Sequence, residues 1–217
     1  MTILSLIKPA SQLKEEQKYV AEIDLDLFGL AFDRGSLIDI SGGAASGKTA
    51  IALTLLAKLT FDGEICAVVD SSDGFDPSSA ATSGVVLENL LWVRCGGDVE
   101  KAFMAADHLV QAKGFGAIWL NLSGLPLTKL RMVPKTYWYR YRTRIKETPT
   151  LLFVTSEVPV TGSASQHAYT FSRPARAKWS GVGKFKLLRS LHIEMTSRKQ
   201  FYGMPLQTTI EADYTNG

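Results

Sequence analysis

Short, almost wholly apolar runs punctuate the first three quarters of the chain: Leu37–Ser41 (LIDIS), Ile65–Val69 (ICAVV), Leu90–Val93 (LLWV), Ala117–Leu120 (AIWL) and Leu151–Thr155 (LLFVT). A run that is apolar at every position, rather than alternately, is what a central parallel strand covered on both faces requires. Between these runs the period changes to that of a helix. Thr49–Leu59 (TAIALTLLAKL) consists mostly of helix formers and ends at Asp62-Gly63, and its near-continuous apolarity predicts a helix buried on most sides. Val99–Lys113 places Ala102, Phe103, Ala106, Leu109 and Val110 at helical spacing and stops at Gly114. Strands alternating with helices at this spacing predict an α/β domain, a mainly parallel twisted sheet flanked by helices. Past residue 165 the helices disappear. Tyr169–Ser172, Leu187–Ser197 and Gln207–Glu211 read as strands, which predicts an antiparallel extension at one C-terminal edge. Lys14–Glu22 reads as a short exposed helix, so the chain divides into an N-terminal segment, 1–36, and a core, 37–217, whose edge region is about 157–217.

One loop carries chemistry. Gly42-Gly43-Ala44-Ala45-Ser46-Gly47-Lys48-Thr49 matches G-x-x-x-x-G-K-[ST], with an apolar strand before it and the Thr49–Leu59 helix after it. Small residues let successive backbone N–H groups turn inward as an anion nest, and the positive end of the following helix adds to it. In such a loop Lys48 reaches the β- and γ-phosphates of ATP, or the β-phosphate of ADP, and the Thr49 hydroxyl takes a place on Mg²⁺. Gly42 through Ala50 are therefore the candidate nucleotide-binding residues.

Charge adds a second theme. Residues 1–130 hold 10 Lys and Arg against 16 Asp and Glu, whereas residues 131–217 hold 14 against 5. A basic C-terminal third invites a polyanion such as single-stranded DNA, or else balances the acidic part as a solvated face. Two segments concentrate the charge. Pro134–Lys146 (PKTYWYRYRTRIK) interleaves aromatics with arginines, but as a helix it puts Trp138, Tyr141 and Ile145 on one face, which favours packing on the sheet over stacking on bases. Arg173–Arg189 has no acidic residue, and its Arg173, Arg176, Lys178, Trp179, Lys184 and Lys186 are the better candidates for single strands. Cys66 and Cys95 cannot build a disulfide framework or a cysteine-rich zinc site. His108, His167 and His192 are scattered, and Cys95 beside Arg94 is at most a slightly activated thiol. No apolar run spans a bilayer, so a cytoplasmic protein without membrane contact is expected.

Three stretches, FDRGSLIDISGGAASGKTAIALTLLA, GEICAVVDSSDGFDPSSAATSGVVLENLLWVRC and DVEKAFMAADHLVQAKGFGAIWLNLSG, resemble the nucleotide-binding core of the bacterial recombinase RecA, and RIKETPTLLFVTSEV resembles its next helix–strand unit. Within that group VDSSDGFDP…LLWVRC is most similar to the ImuA-type accessory proteins of mutagenic translesion-synthesis cassettes. The resemblance implies a single RecA-like P-loop NTPase domain, ATP with Mg²⁺, and work in DNA repair, recombination or an SOS-type response near the nucleoid. It implies partners such as a RecA-type filament or an error-prone polymerase.

It also exposes departures. The position of the water-activating glutamate holds Ser72, that of the Mg²⁺-shell aspartate holds Asn121, and that of the γ-phosphate-sensing glutamine holds Ser156. A neutral hydroxyl has no useful basicity for activating water. Asp70 or Asp73 could substitute, since both lie where ligands gather at a strand's C-terminal end, although Asp73-Gly74 also reads as a plain turn. The short stretch before the loop predicts a truncated filament-forming module, with ILSLI adding as a strand to a neighbour or closing its own edge. The expectation is an accessory protein that binds nucleotide with weak or no hydrolysis. Its alternatives are an active DNA-dependent ATPase and a pseudo-ATPase that binds none.

Overall fold

The computed structural model describes residues 22–25, 29–171, 176–180, 187–199 and 205–211. Of the expectations above, the 14–22 helix (except Glu22), the ILSLI segment, Arg173, Lys184 and Lys186 lie outside these residues.

The strands of the main sheet are β3 (Leu37–Gly42), β4 (Cys66–Asp70), β5 (Leu90–Arg94), β6 (Ala117–Asn121), β7 (Leu151–Ser156), β8 (His167–Phe171), β9 (Arg176–Ser180), β10 (Leu187–Ser197) and β11 (Leu206–Glu211). Their order is β11-β10-β8-β3-β7-β6-β4-β5, with β9 also on β10. A separate antiparallel ribbon pairs β1 (Glu22–Leu25) with β2 (Leu30–Asp33). The helices are α1 (Lys48–Phe61), α2 (Pro77–Thr82), α3 (Val99–Ala112), α4 (Leu127–Met132) and α5 (Thr136–Ile145).

Four of the five continuous apolar runs are explained by two cores, one on each face of the sheet; the fifth, β5, is an edge strand with no buried residue, against expectation. Cys66 and Val68 of β4, Ala117 and Trp119 of β6, and Leu151 and Phe153 of β7 face α1 and the β1–β2 ribbon. Their neighbours Ala67, Val69, Ile118, Leu120, Leu152 and Val154 face α3, α4 and α5. With a period of two, a strand buried on both faces must be apolar at every position. Helix α5 packs as its spacing predicts, with Trp138, Tyr141 and Ile145 buried. Helix α1 is less buried than its composition predicts. Ile51, Ala52, Leu55, Leu56, Leu59 and Thr60 are inside, but Ala50, Thr54 and Lys58 form an exposed row and Phe61 is 80% exposed.

The edge differs from expectation in two strands. β10 and β11 pair antiparallel, as predicted, but β9, inside the basic segment 173–189 where no strand is predicted, also pairs antiparallel with β10. β8, however, runs parallel to β3 and only meets β10 antiparallel, so it belongs to the parallel sheet. Parallel pairing needs a crossover connection, and here residues 157–166 cross over β3 without a helix. Asp39, buried in the middle of β3, anchors that crossover. Its Oδ2 accepts from Thr161 N (3.0 Å), Thr161 Oγ1 (2.6 Å) and Val160 N (3.3 Å), and lies 2.9 Å from an Arg198 guanidinium nitrogen. Leu37 N donates to Gln166 Oε1 and Gln166 N to Leu37 O.

Candidate phosphate-binding site

The loop Gly42–Lys48 leaves β3 at its C-terminal end and turns into α1, beside the ends of β4, β6 and β7. Register places these ends together: Ser41 is opposite Ser156, Asp70 opposite Asn121, and Asn121 opposite Thr155. Two glycines are required by geometry. A Cβ on Gly42 would lie 2.8 Å from Phe171 Cβ and 2.9 Å from Ser46 Oγ, and Gly47 has φ +99°, which L side chains rarely adopt. Gly47 precedes the first turn of α1 and offers no side-chain cap, so the first amides of α1 remain open to an external acceptor.

Lys48 is buried and folds back over the loop. Its Nζ donates to Gly42 O (2.8 Å) and Gly43 O (3.2 Å), and stands 3.7 Å from Glu157 Oε1. Ser46 Oγ is buried without a hydrogen-bond partner. Gly43, Ala44, Ala45, Thr49 and Ala50 are exposed around it, Ala45 with a left-handed φ of 56°.

The neighbouring polar residues are mostly committed to structure. Asp70 is fully buried and accepts from Gly74 N and Phe75 N, so both its oxygens hold the turn after β4. Asp73 sits at φ 58° in that turn with its carboxylate 3.3 Å from Arg94. Ser72 Oγ donates to Ser123 O (2.6 Å) and Ser156 Oγ to Val158 O (2.7 Å). Asn121 Oδ1 accepts from Thr155 Oγ1 (3.0 Å) and Ser123 N (3.2 Å), and Thr155 Oγ1 in turn accepts from Trp119 Nε1. The one carboxylate beside Lys48 that motif reading does not single out is Glu157, whose Oε1 accepts from Gly124 N.

The family model described as RecA N-terminal domain matches residues 12–122. The chain belongs to the RecA N-terminal domain family. Among curated proteins it is similar to Protein RecA of Trichodesmium erythraeum (strain IMS101), 38% identical over 104 residues, which are 48% of this chain and 29% of that protein. Protein RecA of Rhodopirellula baltica (strain DSM 10527 / NCIMB 13988 / SH1) is 35% identical over 99 residues, 46% of this chain and 26% of that protein. The matched stretch thus spans under a third of either relative's length. Among solved structures the RadB recombinase shares the fold, with a TM-score of 0.56 at 14% identity over 82% of this chain and 87% of that one.

For this RecA-family chain, the groups a nucleotide would require divide in two. The phosphates fit: Gly42 and Gly47 shape the turn, and Lys48 folds over it. For Mg²⁺ the donor set is thin. Thr49 is placed at the start of α1, but the Asn121 carbonyl oxygen already accepts two hydrogen bonds. Among the described residues no cluster of three or more His, Cys, Asp or Glu could hold a metal.

Outside the loop, Arg176 and Lys178 lie exposed on β9, and Trp179 is opposite Leu188 of β10. No helix among the described residues is long and apolar enough to cross a membrane. Burial pushes the Cys66 thiol up to about 12. Burial, then the charge of Asp70, raises that of Cys95, the opposite of an activated thiol.

Proposed function

We propose that the chain binds ATP or ADP through Gly42–Ala50, hydrolyses it weakly or not at all, and serves as an accessory protein in DNA repair or recombination. The observation that carries this reading is the contrast around Lys48. The phosphate loop keeps its glycines, its lysine and an unpartnered hydroxyl, while Ser72 and Asn121 spend their oxygens on Ser123 and Thr155. Removal of a general base typically costs ~10²–10⁴-fold in rate. Serine at position 72 and an amide in place of a carboxylate at 121 leave the phosphate chain bound without an activated water. Lys48 and the open amides at the start of α1 then bind and orient the phosphates. A bound Mg²⁺ would be held by those phosphates and Thr49, supplying charge neutralisation.

The finer reading is an ImuA-type role in translesion synthesis, in the cytoplasm, through a RecA-type filament or an error-prone polymerase, on the strength of the VDSSDGFDP stretch. The basic edge, with Arg176 and Lys178 exposed, supports weak contact with single-stranded DNA. Titration calorimetry with ATP and ADP, with and without Mg²⁺, tests the core of the proposal. Binding should be measurable in wild type and lost in Lys48→Ala. Absence of heat from every nucleotide would leave a pseudo-ATPase interaction module. Steady-state phosphate release that Lys48→Ala abolishes would establish an active ATPase instead.

A further inference from the structure

The carboxylate facing Lys48 has a role that the loop motif does not contain. Ser156 is opposite Ser41, so the residue after Ser156 leaves β7 beside the start of the phosphate loop. That residue is Glu157. Its Oε1 accepts from Gly124 N at 3.1 Å and stands 3.7 Å from Lys48 Nζ. Its Oε2 is buried and has no hydrogen-bond partner. The backbone donor is itself fixed: Gly124 has φ +83°, and a Cβ there would meet Ser72 Oγ at 3.1 Å. Although the Glu157 side chain is 32% exposed, one oxygen is thus held in place and the other is closed off from water.

Lys48 has three N–H donors. Two are spent on Gly42 O and Gly43 O, and the remaining side faces Glu157. In a phosphate loop of this kind the lysine's outer partners are the β- and γ-phosphates. A carboxylate and a phosphate are both anions competing for one ammonium, in a recess where screening is weaker than in bulk water. A diphosphate brings only the β-phosphate to Lys48, whereas a triphosphate brings both, and with the γ-phosphate an added charge to set against Glu157. We infer that Glu157 is the specificity-determining residue of the phosphate loop, biasing it toward a nucleoside diphosphate over the triphosphate. The inference rests on the nucleotide-binding reading above.

The experiment compares ATP and ADP affinities by titration calorimetry for the full chain and Glu157→Gln, with EDTA and again with Mg²⁺. Wild type should bind ADP about ten- to hundredfold more tightly than ATP, the range a like-charge contact gives after solvent screening. Glu157→Gln should tighten ATP by about tenfold while ADP changes by less than about threefold. Three outcomes overturn the assignment. These are an unchanged ATP-to-ADP ratio, tighter Mg²⁺·ATP binding by wild type than by Glu157→Gln, which makes Glu157 a metal ligand, and loss of hydrolysis at constant affinity, which makes it the water-activating base. No binding by either protein sinks the nucleotide reading itself; binding with an unaltered ratio sinks only the role of Glu157. A second measurement needs no variant. Inorganic pyrophosphate should bind wild type more tightly than tripolyphosphate, and the reverse order overturns the proposal.

Discussion

Helix α5 and the Lys48 corner are both places where cations meet polar groups, and they are finished differently. In α5 no buried side-chain polar atom is without a partner. Tyr141 OH donates to Phe103 O (2.7 Å), Arg140 and Arg144 both reach Asp107 Oδ1 (3.0 and 2.6 Å), and Arg140 also lies 4.4 Å over the Tyr137 ring. Phe103, Trp138 and Tyr141 pack ring against ring. At the loop, by contrast, Ser46 Oγ and Glu157 Oε2 are buried and unpaired, and Lys48 is turned back on its own carbonyls. Buried polar groups are normally satisfied, and each exception costs about 1–3 kcal/mol. A satisfied cluster is architecture, however suggestive its composition.

Substitution should separate the two regions. The largest effect on stability belongs to α5: Trp138→Ala should lose about 3–5 kcal/mol, read as a fall in the denaturant midpoint. Any nucleotide binding by the folded fraction should be unchanged. At the loop the expected gain is chemical. Ser72→Glu with Asn121→Asp should raise ATP turnover more than either change alone, as groups acting in one site do. The carboxylate introduced at position 121 would keep one oxygen for Thr155 and Ser123 and free the other. A double variant no faster than its parents would mean that geometry, not chemistry, disables the site. Smaller again, Tyr141→Phe removes a single buried hydrogen bond and should cost about 1 kcal/mol, with phosphate-loop binding untouched. Smallest is Arg144→Ala, at less than about 1 kcal/mol because the pair is partly exposed and Arg140 remains on Asp107. A cost several times larger would show that the Asp107 pairs carry α5, against the aromatic packing.

How far each region can be read in advance follows from how local its determinants are. The phosphate loop is a contiguous motif between a strand and a helix, and the Trp138, Tyr141, Ile145 stripe is a matter of helical period; both are visible residue by residue. Glu157 is not, because its meaning comes from β7 lying in register with β3 and from Lys48 folding toward it, neither of which leaves a local mark. The direction of β8 escapes a sequence reading for a related reason. A helix usually announces a parallel crossover, and here a loop anchored on Asp39 replaces it. The clue is an aspartate in the middle of LIDIS, a buried charge that demands partners. The exposed row of α1 is hidden by composition, since Ala50 and Phe61 are apolar yet lie outside.

The space a side chain would need at Gly42 is taken by Phe171, and at Gly47 the nearest atoms belong to Ile193, 3.3 Å from where a Cβ would sit. These two come from β8 and β10, far along the chain. The most local motif in the sequence is therefore moulded by two of its distant strands. Closing such a long loop costs chain entropy before any contact is made in return. The phosphate loop thus takes its final shape only once the far end of the chain has docked. A fragment ending at β7 would carry the motif without the mould.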